Sequence, residues 1–169
     1  MVILLIASPA IAQPAQKPPH VRPHADVVEL LSDAVHQSPT IQALIDRLET
    51  LDVTVYIRRH RFAQSELYGR TGLLASVDHH RYLVIELACG RTQVTDMSTL
   101  AHELFHAVEI ASEPSIVDVR SLAAFYSRTG FRTDNTIDRQ TFETMGAAEA
   151  GRQALRELFS THRVATGLR

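Results

Sequence analysis

Residues 100–111 read LAHELFHAVEIA, and this stretch constrains the fold more tightly than any other part of the chain. From Thr95 to Glu113 there is neither glycine nor proline, so nothing interrupts a helix until Pro114. Leu100, Ala101, Leu104, Phe105, Ala107, Val108, Ile110 and Ala111 surround nearly the whole circumference, which predicts a buried helix. His102, Glu103 and His106 sit inside that apolar run. Polar groups carried into an apolar interior are costly unless they are paired, so these three need a shared purpose.

The spacing supplies one. At 3.6 residues per turn, His102 and His106 lie about 40° apart around the axis and roughly 6 Å apart along it. Both imidazoles can therefore reach one ion from a single helix face. Glu103 projects beside them, placed to take a proton from a water on that ion and poorly placed to bind the ion itself. His-Glu-x-x-His on a helix is the pattern of a zinc site whose glutamate acts as general base. Zinc lowers the pKa of a bound water toward about 7, within reach of a carboxylate base.

The chain has 169 residues, enough for one domain with a modest core. A net charge of -2 argues against a nucleic-acid partner, which usually requires a basic surface. No segment reaches the 18 to 20 or so apolar residues of a membrane span. Met1 to Ala12 reads MVILLIASPAIA, with the length of a signal-peptide core and a small-x-small ending at Ala10-Ile11-Ala12, although a positively charged start is missing. These residues are expected to direct export to the periplasm or the outside of the cell. Residues 13–25, proline-bearing and without apolar periodicity, read as a disordered linker, leaving 26–169 as the folded domain. The single Cys89 allows no internal disulfide and is expected to be a small buried residue at a strand end.

Within the domain, Val27, Leu30, Leu31 and Ala34 have helical spacing, with Asp26 placed to cap the start. Ser38 and Pro39 stand at N-cap and N1 of a second helix running to about Thr50. Residues 52–60, DVTVYIRRH, alternate as a strand does, and the basic run Arg58 to Arg61 reads as its solvated end. Gly72 to Val77 and Arg81 to Ala88 flank Asp78-His79-His80 as a β-hairpin, with Leu83, Ile85 and Leu87 on one face. Helices are expected again at Ile116 to Thr129, ended by Gly130, and from about Arg139 to Thr161. The order is helices, three antiparallel strands, then three helices, which reads as α+β.

With its flanking strands and helices, the AHE-x-x-HA-x-E-x-A stretch resembles a minimal zincin metallopeptidase core. It is nearest the gluzincin branch and small exported bacterial proteins that share the pattern. The resemblance implies a small antiparallel sheet packed against the motif helix and a C-terminal helix. It also implies that His102 and His106 bind a zinc ion, that Glu103 is the base, and that a downstream glutamate is the third ligand. Glu143 is the leading candidate: Glu143, Ala147, Ala150 and Ala154 share one stripe of the last helix, and the alanines would let it approach the motif helix. Glu149 and Asp118 rank behind it, and the aspartate that the gluzincin pattern has four residues on is here Ala147. Glu109 faces nearly the same side as His102 but lies too far along the axis, so it is expected to support a histidine. By analogy the strand from Gly72 is an edge that pairs with an extended peptide, making Gly72, Leu73 and Leu74 substrate-binding candidates. Tyr126 and His162 are candidates for stabilising an oxyanion.

The function expected is hydrolysis of a peptide bond in a peptide or protein substrate by a zinc-activated water, with Glu103 as base. The alternative is a zinc-binding domain of the same shape that holds a peptide or protein partner without turnover.

Overall fold

A computed structural model describes the chain at residues 18–132 and 142–165. The Met1 to Ala12 segment and the first part of the expected linker lie outside the described residues. In order, the elements are β1 (Val21–Pro23), a short 3-10 turn, α1 (Val28–Gln37), α2 (Pro39–Glu49), β2 (Val53–His60), β3 (Gly69–Val77), β4 (His80–Ala88), α3 (Gln93–Ser112), α4 (Val119–Thr129), β5 (Phe131–Arg132), β6 (Phe142–Glu143) and α5 (Met145–Ala165). No described helix is long and apolar enough to cross a membrane.

The architecture is mixed α and β, with two differences from expectation in the sheet. Its four strands run in the order β1-β2-β4-β3, with β2 parallel to both β1 and β4, and only β3 antiparallel. The hairpin is therefore present, but β2 does not join it as a meander. The reason lies in the loop from Arg61 to Tyr68, which carries the chain past the end of β4 and lets β4 return between β2 and β3. A second difference is β1. Val21–Pro23 falls inside the segment read as linker, yet Val21 is buried and pairs with Val55, and the His20 amide donates to Glu49 at 2.8 Å. Three residues are too few for an alternating pattern to register, so only the partner strand reveals this one.

Local chemistry explains the other boundaries. Ser38 accepts from the Ile41 amide at 3.2 Å and Pro39 occupies the first turn of α2, as read from sequence. Asp26 does not cap α1; its carboxylate meets His24 instead, and the 3-10 turn leads into the helix. Asp78 and His79 both take positive φ, +48° and +67°, so the hairpin closes on a two-residue turn whose twist matches its strands. His80 belongs to β4 and its Nε2 meets the Thr54 hydroxyl at 2.9 Å. The motif helix starts seven residues before the apolar run at Leu100, with Thr92 capping the Thr95 amide.

The core lies between one sheet face and the helices. Val53, Val55, Ile57, Leu83, Ile85 and Leu87 meet Leu30, Ile41, Leu48, Leu100, Leu104 and Leu158, nearly all fully buried. Truncating any one of the fully buried leucines to alanine would cost about 2–5 kcal/mol through lost transfer energy and the cavity left behind. Arg81 points into this layer and donates to the carbonyls of Ala111, Glu113 and Ile116, covering the C-terminal end of α3 with a positive charge.

The basic run is solvated at Arg58 and Arg61, but two of its arginines are also tied by ion pairs. Arg59 pairs with the buried Asp96 in the first turn of α3 at 2.7 Å. On the opposite face Arg58 and Arg70 converge from β2 and β3 on Glu86 of β4, their register neighbour on both sides. Cys89 is exposed, in the turn after β4, contrary to the expected buried position; the strand ends one residue before it.

Candidate metal centre

Helix α3 delivers both histidines to one point. Their ring centroids are 4.9 Å apart, the consequence of an i, i+4 spacing on an undistorted helix. His106 is buried and His102 is one-fifth exposed. Glu143 comes to the same point from the other side of the molecule. Its Oε1 lies 3.0 Å from His102 Nε2 and 3.8 Å from His106 Nε2. One donor atom from each of the three residues falls within 4.8 Å of the others, and among the described residues no other histidine, cysteine or acid cluster does this.

Glu143 is the residue favoured from sequence, but its local structure differs. It does not open the last helix. It ends β6, and Thr144 caps α5 immediately afterwards, accepting from the Ala147 amide at 3.2 Å. What fixes Glu143 is backbone pairing with Phe131 of β5 and the close passage of Gly130. A Cβ on Gly130 would sit 2.7 Å from the Glu143 carbonyl oxygen and 3.0 Å from that of Tyr126. Gly130 ends α4 as expected, and with a φ of -103°, outside the left-handed region, space is what the glycine supplies. The alanine stripe has its expected use. Ala147, Ala150 and Ala154 are buried, and Gly146 and Gly151 bring α5 against Phe105 and His102 of α3.

His106 is held by what lies behind it. His106 Nδ1 meets Glu109 Oε2 at 2.8 Å, which turns Nε2 toward Glu143. Glu109 is thus in contact with a histidine, in the supporting place expected for it. The Tyr126 hydroxyl packs against the same pair, 3.2 Å from His106 Nδ1 and 3.4 Å from Glu109. It therefore stands on the Nδ1 side of His106, away from the Nε2 that faces Glu143; the His162 side chain lies outside the described residues. Asp118 caps α4 through Ser121, and Glu149 pairs with Arg152 and Arg156 at the surface, so neither approaches the centre.

Glu103 is buried at 5 % exposure and lies against the edge strand. Thr71 of β3 donates to its Oε2 at 2.8 Å and to its backbone carbonyl at 3.0 Å. Gly69 lets the strand close over it, since a Cβ there would stand 2.9 Å from Oε1 and 2.6 Å from Thr99 Cγ2. Sequence reasoning missed both residues, because β3 begins at Gly69, three residues before the expected Gly72. Position 72 and the two after it do belong to the edge strand. However, Leu73 is partly buried against the core, Leu74 is exposed at a bulge, and the part of the strand touching Glu103 is 69–71. A threonine at alternate-residue spacing from a glycine was the available signal, though it becomes meaningful only once the strand is known to cover α3.

The electrostatics follow from this packing. Burial pushes the Glu103 carboxyl up, opposed by the positive charge of His106 and His102 and by the Thr71 hydroxyl. Burial would lower His106, but the Glu109 and Glu143 carboxylates outweigh it and lift the imidazole to about 9. Burial would raise Glu143, but hydrogen bonds from His102 and His106 hold it at about 2. The pairing of His106 with Glu143 is the kind of contact in which a cation can replace a proton.

The donor set suits zinc. Two imidazole nitrogens and one carboxylate oxygen are borderline and hard ligands, with bond lengths near 2.0–2.2 Å that put tetrahedral donors about 3.3 Å apart. The 3.0 and 3.8 Å separations to Glu143 bracket that value, and the set as a whole lies within 4.8 Å. Compared with known proteins, the chain matches no family model, no curated protein and no solved structure.

Proposed function

We propose that the chain is a zinc-dependent peptidase of zincin type. The observation that carries the reading is the meeting of His102, His106 and Glu143 within 4.8 Å, with Glu103 alongside on the same helix and against the edge strand. His102 and His106, through Nε2, and Glu143, through Oε1, would hold the ion. A zinc ion there supplies Lewis acidity, lowering the pKa of water and polarising a carbonyl. Glu103 then takes the proton of the attacking water and passes it to the leaving amine. Thr71 holds Oε2, and Oε1 lies beneath Gly69 of the edge strand. The outer edge of β3, unpaired among the described residues, offers backbone donors and acceptors to an extended substrate, whose pairing would lay its scissile bond beside α3. The apolar Met1–Ala12 run supports a place outside the cytoplasm.

One feature favours the non-catalytic alternative: Glu103 is almost wholly covered, and burial favours its neutral form. The test separates the readings. Purified full-length chain, dialysed against zinc, should retain about one ion, and should cleave members of a broad peptide library. Glu103→Gln should keep the zinc and stop the cleavage. Zinc retained with no wild-type cleavage gives the binding domain; no retained zinc overturns both readings.

A further inference from the structure

Helix α4 sends a single buried side chain into the interior. Of Val119–Thr129 only Tyr126 is buried, and it lands behind the metal centre. Leucine or phenylalanine would fill such a position, whereas a buried phenol must also find a partner for its hydroxyl. Here the neighbours are His106 Nδ1 at 3.2 Å and Glu109 Oε2 at 3.4 Å.

Proton accounting fixes the direction of these bonds. His106 Nδ1 lies 2.8 Å from the Glu109 carboxylate, which can only accept, so Nδ1 carries a proton and gives it to Glu109. A nitrogen so occupied cannot accept from the phenol, which therefore donates to Glu109. With the proton on Nδ1, the neutral imidazole keeps its lone pair on Nε2, the nitrogen that faces Glu143. Among the described residues the Glu109 carboxylate has hydrogen-bond partners only in His106 and Tyr126, so the phenol is what stops it turning away.

The ring acts on the other side of the centre. It stacks on Phe142 at 6.1 Å and 15°, and Phe142 is the strand neighbour of Glu143. The Tyr126 carbonyl accepts from the Gly130 amide at 2.9 Å, where α4 gives way to β5, the strand paired with Glu143. One residue thus touches the supports of two of the three proposed ligands, which come from elements far apart in the chain. Resting on the zinc reading of the site, we infer that Tyr126 is a positioning residue for the metal centre with two separable parts. Its hydroxyl, through Glu109, holds the His106 ring and tautomer that leave Nε2 for the ion. Its ring, through Phe142, sets the reach of Glu143.

Two measurements separate the parts: zinc affinity by competition with a chelator, and the visible spectrum of the cobalt-substituted protein, which reports the ligand set and geometry. Tyr126→Phe keeps the ring. It should weaken zinc about three- to tenfold, the worth of one modest hydrogen bond, and leave the cobalt spectrum unchanged. In a Glu109→Gln background the same change should add little, because the hydroxyl acts through that carboxylate. Phe142→Leu keeps the hydroxyl and an apolar residue of similar reach at a half-buried position. It should weaken zinc at least as much and shift the cobalt spectrum toward that of Glu143→Ala. If Tyr126 only fills the core, Tyr126→Phe leaves zinc affinity where it was. That result, or losses fully additive with Glu109→Gln, would overturn the hydroxyl's part. Wild-type zinc affinity and cobalt spectrum in Phe142→Leu would overturn the ring's part. Wild type that retains no zinc sinks the metal reading and the role of Tyr126 together; zinc held equally by the wild type and both variants sinks the role of Tyr126 alone.

Discussion

The Thr71 hydroxyl stands 2.8 Å from Glu103 Oε2, a contact between the edge strand and the helix that carries both histidines. It couples the part of the sheet that would hold a peptide to the carboxylate that would move the proton. Thr71→Val keeps the shape and removes the donor. On the proposed reading kcat falls roughly ten- to a hundredfold, the worth of one hydrogen bond to a charged group, with KM little changed and zinc retained. The acid limb of the kcat profile should also shift upward, because Glu103 loses a bond that favours its charged form. A variant with unaltered kcat and pH profile would show that Thr71 only packs.

Glu143 and Glu109 should separate when zinc affinity is measured by competition with a chelator. Glu109→Gln leaves all three donors in place and loosens only the partner of His106 Nδ1, for which a loss of about 10- to 100-fold is expected. Glu143→Ala removes a donor and should weaken binding further than that. Equal losses would mean that Glu143 is not a ligand.

Gly130→Ala should act on the centre from outside it. The added methyl would meet the Glu143 carbonyl at 2.7 Å, a backbone atom that cannot swing aside as a side chain would. The expected outcome is a loss of about 1–3 kcal/mol in urea unfolding, typical of overpacking, together with weaker zinc binding. Unchanged zinc affinity would count against β5–β6 as the element that positions Glu143.

Acid sensitivity is expected from Glu86. Burial would raise its pKa, but hydrogen bonds from Arg58 and Arg70 hold it below the usual carboxylate range. A depressed folded value means that the stabilisation is full above the unfolded pKa of about 4.3 and is lost as the pH falls through the folded one. Glu86→Gln should therefore cost about 1–3 kcal/mol at pH 7, since both arginines are half-exposed and solvent screens part of the effect. The gap from wild type should narrow between about pH 5 and pH 3. Chemical denaturation across that range checks it, and a gap that stays constant would be the contrary result.

Most of the helices were legible because their signals are local. Ser38-Pro39 begins a helix wherever it precedes an apolar stripe, and the uninterrupted run around His102 has no other good conformation. The β3–β4 hairpin was legible for the same reason, its turn and alternation lying within a few residues of each other. The parallel pairing of β2 with β4 was not, since nothing in residues 53–60 encodes which neighbour they choose. Nor was β1, whose three residues carry no period. The structure brings Glu143 to the place expected for it, but the helical stripe that suggested it belongs to the next element, and β-pairing does the positioning.

By itself, then, the sequence determined that His102 and His106 share one face of a buried helix, with Glu103 beside them. Four residues of an α-helix permit little else, and apolar neighbours leave that helix nowhere to go but the core. Only the tertiary structure decided which carboxylate meets them, what holds Glu103, and what stands behind His106. Those contacts join residues 16 to 41 positions apart, such as Thr71 with Glu103, His102 with Glu143 and Arg70 with Glu86. Their geometry is set by strand order and by the room left at Gly69 and Gly130, which no local pattern records.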